Sequence, residues 1–184
     1  MLNFQATSSR IDILINYLAP DESPVGYHGD ALAYWEAKRR GRVAPAWKDI
    51  SLLDFPPNLI PLIAVTDISA GPLTSVFRFW GTGLTTAYGG DYTGQSPAEV
   101  PPKGVGSNIH SSCERLLVRK IPMFQVKEYM NQDGLFGRAL CLWMPLSDDG
   151  EVVNHGLGVF YFESAKADQP FSKFFEAALE PVEH

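Results

Sequence analysis

Arg78 is the residue whose setting most invites chemistry. It stands in Phe77-Arg78-Phe79-Trp80-Gly81, a cation among aromatics in the middle of a stretch that reads as a strand. A guanidinium carried into a domain interior must be paired. A pocket arginine would receive the carboxylate or phosphate of a small ligand bidentately. A structural arginine would pair with Asp67 or Asp49, which is the simpler reading. His110 and His155 each stand alone, without neighbours at metal-ligand spacing, and read as structural residues, so no metal site is expected. Cys113 and Cys141 form neither a disulfide framework nor a zinc pattern. They read as buried free thiols of a reducing compartment. Gly81-Thr82-Gly83 lacks the third glycine of a dinucleotide fingerprint. Glu128, His155 and Tyr161 could titrate or donate, but no motif joins them, so no enzymatic activity is expected.

The elements that must position these residues follow from periodicity and breakers. Ser8 or Ser9 can cap a short N-terminal helix with Ile11, Leu14, Ile15 and Leu18 on one face. Pro20 to Gly29 reads as a linker, and Asp30 as the cap of a second helix, Ala31 to Arg40, that ends at Gly41. Strands are expected at Leu62–Ser69 and Ser75–Trp80. Thr82–Tyr88, capped by Thr82, and Val105–Arg119 are expected as helices. Strands follow at Pro122–Asn131, Leu135–Leu146 and Val152–Glu163, joined by Asp-Gly turns as an antiparallel meander. Phe171 to Leu179 reads as a tail helix. Trp80, Tyr88, Cys113, Leu117, Leu142 and Met144 could line a cavity between helices and sheet, although such residues are more simply core. In the last two strands both alternating residue sets are apolar, so both sheet faces need covering. A docked N-terminal cap or a homodimer would meet that need.

The chain has 184 residues, a net charge of -6 and 45% hydrophobic residues. That length supports one self-sufficient domain. The acidic balance, with pI near 5.1, argues against nucleic-acid binding. Lys38, Arg39, Arg40 and Arg42 read as charges at a helix C-terminus. Ile11 to Ala19 is too short and polar for a membrane span, and a cytoplasmic location is expected.

Several motifs together resemble a family of short single-domain bacterial PAS proteins. They are Tyr34-Trp35, Gly41-Arg42 with Pro45 and Asp49, Arg78-Phe79-Trp80-Gly81-Thr82, and Gly89-Gly90-Asp91-Tyr92-Thr93-Gly94. The likeness covers roughly residues 30 to 165. It implies an α+β fold with a five-stranded antiparallel sheet, helices inserted between strands two and three, and an N-terminal helical cap. The corresponding division is a cap over 1–41, a PAS-like domain over 42–165 and a tail over 166–184. Aligning Gly81 with the strand end of that fold would point Arg78 and Trp80 inward. A haem-binding relative would use a histidine on the long helix, where His110 lies, but a lone histidine is a weak sign. Cys113 in Ser-Ser-Cys-Glu-Arg does not match the flavin-binding cysteine motif. The resemblance implies a sensory or signalling module whose ligand-binding residues would be drawn from Arg78, Trp80, Tyr88, His110, Cys113, Leu117, Leu142 and Met144. The cofactor is left unassigned. Expected partners are a small molecule, a signalling protein and a second copy of the chain. The alternative is a ligand-free homodimerisation or interaction module.

Overall fold

Alternation along the strands and the placement of glycines account for most of the frame. The computed structural model describes residues 12–100, 105–131, 134–165, 171 and 173. Strands β1 (Asp12–Leu18), β2 (Ile63–Ser69), β3 (Thr74–Trp80), β4 (Met123–Asn131), β5 (Gly134–Leu146) and β6 (His155–Ser164) form one antiparallel sheet in the order β1-β4-β5-β6-β2-β3. Helices α1 (Gly26–Arg39), α2 (Thr82–Tyr88) and α3 (Val105–Arg119) complete the α+β architecture.

The sheet has six strands where five were expected, and the sixth comes from the predicted N-terminal helix. Asp12–Leu18 is strand β1, paired with β4. Ile13, Ile15 and Tyr17 are partly buried, while Leu14, Asn16 and Leu18 are exposed. The same residues fit helical and alternating spacing, and the open edge of β4 selects the strand. The expected Ser8 or Ser9 cap lies outside the described residues. So does the tail helix, except for Phe171 and Lys173.

Both faces of the sheet are covered within the chain. Ala64, Ile68, Phe77, Trp80, Cys141, Trp143 and Phe160 meet α2 and α3 on one side. Ile63, Val65, Leu142, Met144, Leu157 and Val159 meet α1 and the loop through Phe55 and Leu59 on the other. Trp35 of α1 is buried and donates its indole N–H to the Pro145 carbonyl at 2.7 Å. Tyr27 donates to the Phe160 carbonyl at 3.0 Å. The second apolar face therefore does not require a partner copy for its cover.

Two helix starts differ from expectation. α1 begins at Gly26, so Asp30 lies inside it, and His28 is buried against the sheet side. Gly26 and Gly29 read as breakers in isolation, and burial of His28, Ala31 and Trp35 overrides them. α2 is capped by Gly81, with Thr82 as its first helical residue. A Cβ on Gly81 would lie 2.3 Å from the Pro61 carbonyl oxygen, so close backbone approach demands glycine there.

Candidate functional site

The side chains that stand out chemically belong to β4. Along Met123-Phe124-Gln125-Val126-Lys127-Glu128-Tyr129, alternate residues face opposite sides of the sheet. Met123 and Tyr129 belong to the core beneath α2 and α3, which places Gln125 and Lys127 on that same inner side. β1 covers this edge, with Ile15 opposite Lys127 and Tyr17 opposite Gln125. Gln125 and Lys127 are both completely buried.

Lys127 Nζ, both side-chain polar atoms of Gln125 and the Trp143 indole N–H meet no hydrogen-bond partner among the described residues. Leaving a buried donor unpaired costs about 1–3 kcal/mol, and more for a charge. Burial pulls the Lys127 ammonium down to about 8, opposed by the nearby Cys141 and Cys113 thiols. Burial pushes Cys113 up to about 12 and Cys141 well above its ordinary value. Both thiols are therefore held protonated and are poor nucleophiles. Tyr88 and Tyr129 interact with each other in the same interior, and burial raises both phenols. An ammonium, an amide and an indole N–H thus lie on the same inner side of the sheet without a hydrogen-bond partner among the described residues.

The predicted site residues divide between the two faces. Trp80, Tyr88 and Cys113 are buried on the inner side, with Leu117 packed against them. Trp80 donates to the Gly90 carbonyl at 3.1 Å. Leu142 and Met144 lie on the α1 side and cannot line the same space. Cys141 and Trp143, their neighbours in β5, take the inner positions. Both residue sets are apolar, so sequence alone carried no sign of which faced α3. His110 is partly buried, with Nδ1 3.4 Å from Ser75 Oγ. Among the described residues no group of three or more His, Cys, Asp and Glu side chains is placed to hold a metal ion.

Arg78 turns outward, contrary to the inward placement expected from the strand end. Its side chain is 42% exposed and its Nε lies 2.6 Å from Asp67 Oδ1. The cause is a bulge: Phe79 opposes Val65 and Phe77 opposes Thr66, leaving Arg78 as the extra residue. The bulge lets Phe77 and Trp80 both enter the inner core.

Asp67 also approaches His155 Nδ1 at 2.7 Å, and His155 Nε2 lies 2.9 Å from Asp148 Oδ2. The hydrogen bond from His155 holds the Asp148 carboxyl below its ordinary range. Glu128 is far from this group, bonded to Arg138 at 2.8 Å, and Arg138 faces Glu163 at the opposite end of β6 from His155. Tyr161 stacks edge-on with Tyr27 instead. The three candidate catalytic side chains are thus not assembled into one site.

Lys127 and Gln125 were missed because polar residues in a strand ordinarily mark its solvent face. Their shared parity with Met123 and Tyr129 was the available signal. The arrangement is that of an α+β protein in which polar atoms of Lys127, Gln125 and Trp143, buried between sheet and helices, have no hydrogen-bond partner among the described residues. The chain matches no protein-family model and no curated protein. No helix among the described residues is long and apolar enough to cross a membrane.

Proposed function

We propose that this chain is a PAS-type sensory module of cytoplasmic signalling that binds a small ligand between the sheet and α3. The observation that carries the reading is Lys127, a fully buried ammonium with no acceptor among the described residues. A ligand carboxylate or other anionic group would satisfy it, with Gln125 and the Trp143 N–H as further donors. Aromatic walls from Trp80, Tyr88 and Phe160 suit an apolar ligand body.

Two features of the fold support the module class. α2 and α3 are inserted between β3 and β4, and β4, β5 and β6 follow as consecutive antiparallel strands, as the resemblance implies. β1 extends that sheet at the β4 edge. Output would pass through β5, where Cys141 and Trp143 face the ligand side while Leu142 and Met144 carry the α1 side. A ligand that favours one position of β5 would bias the seating of α1, which is hydrogen-bonded to the Pro145 carbonyl. Native mass spectrometry of the purified protein and of Lys127→Met tests the reading through bound small-molecule mass.

A further inference from the structure

A second site lies on the surface, at the edge of the buried interior, where the last turns of α3 approach the end of β1. A groove of about 410 Å³ opens there, walled by Leu18, Pro20, Ile121 and Met123 and crossed by Arg115 and Arg119. Leu18 is 41% exposed and Ile121 is 54% exposed, so the apolar wall faces solvent.

The two arginines set the groove apart. They lie four residues apart on α3 and so project from one helix face. Neither has a carboxylate partner among the described residues, whereas Arg39, Arg42, Arg78 and Arg138 are ion-paired and Arg40, also without a salt bridge, lies outside the groove. The Arg115 guanidinium lies over the Tyr17 ring, 4.0 Å from its centroid. That cation–π contact holds the guanidinium beside the groove, where its N–H donors can meet a carboxylate. The negative end of the helix dipole accounts for a cation at Arg119. It does not account for Arg115 one turn earlier, nor for the apolar wall beside it. The cationic groove also runs against the sign of the whole chain, whose net charge is -6.

We propose that this groove binds an acidic segment of a partner protein. Carboxylates of the segment pair with Arg115 and Arg119, and an apolar side chain between them seats against Leu18 and Ile121. An open groove with an exposed apolar rim fits an extended peptide, whereas a small-molecule site encloses most of its ligand.

Fluorescence anisotropy with a fluorescein-labelled Gly-Asp-Glu-Leu-Asp-Glu-Gly peptide tests the assignment, using the full chain. The expected result is saturable binding that weakens between low salt and about 0.3 M salt. Arg115→Gln with Arg119→Gln should weaken it at least about tenfold, and so should replacing the peptide's Leu by Gly. Arg115→Lys with Arg119→Lys should retain part of the affinity, and circular dichroism should show every variant folded. Equal binding by the Gln variant, or no binding by the wild type, overturns the proposal. Displacement of the peptide by free glutarate at equal potency would also overturn it, by assigning the groove to small anions.

Discussion

Arg78 Nε lies 2.6 Å from Asp67 Oδ1, and the same carboxylate oxygen lies 2.7 Å from His155 Nδ1. One aspartate therefore ties the β3 bulge to the start of β6, on the side of the sheet away from the buried lysine. Arg78 is a tie between neighbouring strands, the structural pairing with Asp67 that is the simpler of its two readings, although its side chain turns outward and not inward.

Because both partners of the Arg78–Asp67 pair are more than a third exposed, solvent screening limits what the pair contributes. Arg78→Met should lower stability by no more than about 1 kcal/mol in urea unfolding. It should leave any bound small-molecule mass unchanged. A large loss of ligand in that variant would show that Arg78 acts at the binding site after all.

His28 gives an acid-side prediction. Burial lowers its pKa to about 4. Its unfolded value is near 6.5, so between these values the unfolded chain binds more protons than the folded one. Stability should fall as pH drops from about 6.5 toward 4. In urea titrations across that window, His28→Phe should show a shallower fall than wild type. Parallel curves would mean that His28 does not carry the proton linkage.

Lys127 has the corresponding effect on the alkaline side. Its folded pKa is lowered to about 8, below the unfolded value near 10.5. The unfolded state then binds more protons between pH 8 and about 10.5, and this residue's contribution to stability improves as pH rises through that window. The buried thiols and phenols are shifted upward and act in the opposite sense, so the informative quantity is the wild-type curve minus that of Lys127→Met. That difference should rise with pH. At neutral pH and without ligand, Lys127→Met should be more stable than wild type by about 1–3 kcal/mol. A destabilised Lys127→Met with a flat difference curve would mean the ammonium already has a partner.

Gly81 tests the turn that launches α2. Its added Cβ would meet the Pro61 backbone 2.3 Å away, and backbone cannot rotate aside as a side chain can. Gly81→Ala should cost about 3 kcal/mol or more, whereas Gly26→Ala, with open space around it, should be tolerated or stabilising. Thermal unfolding of the two variants compares them directly. Equal melting temperatures would contradict the close approach.

Much of the frame was legible because local signals agreed with tertiary demand. Thr82–Tyr88 and Val105–Arg119 stand at their expected bounds, set by the Gly81 and Gly89 ends of one helix and by the apolar stripe of the other. The strand-rich meander from Met123 to Ser164 likewise followed from its β-forming runs and the Asp149-Gly150 break. β1 was illegible because seven residues fit two periods and only the β4 edge chooses between them. The start of α1 was hidden by two glycines that packing of Trp35 outweighs. Of the candidate residues, Trp80 and Tyr88 were legible as large aromatics and Cys113 as part of the apolar stripe of α3, and all three are buried on the inner face. Leu142 and Met144 were misplaced because β5 is apolar at both parities. Lys127 was overlooked because a lysine in a strand is normally solvated, and only the covering by β1 and α3 encloses it.

The most direct measurement is native mass spectrometry of the wild-type protein beside Lys127→Met, with folding of both checked by circular dichroism. A non-covalent small-molecule mass is expected on the wild type, lost or sharply reduced in the variant. Wild type and Lys127→Met both at their bare sequence masses, or both carrying the same adduct, would contradict it.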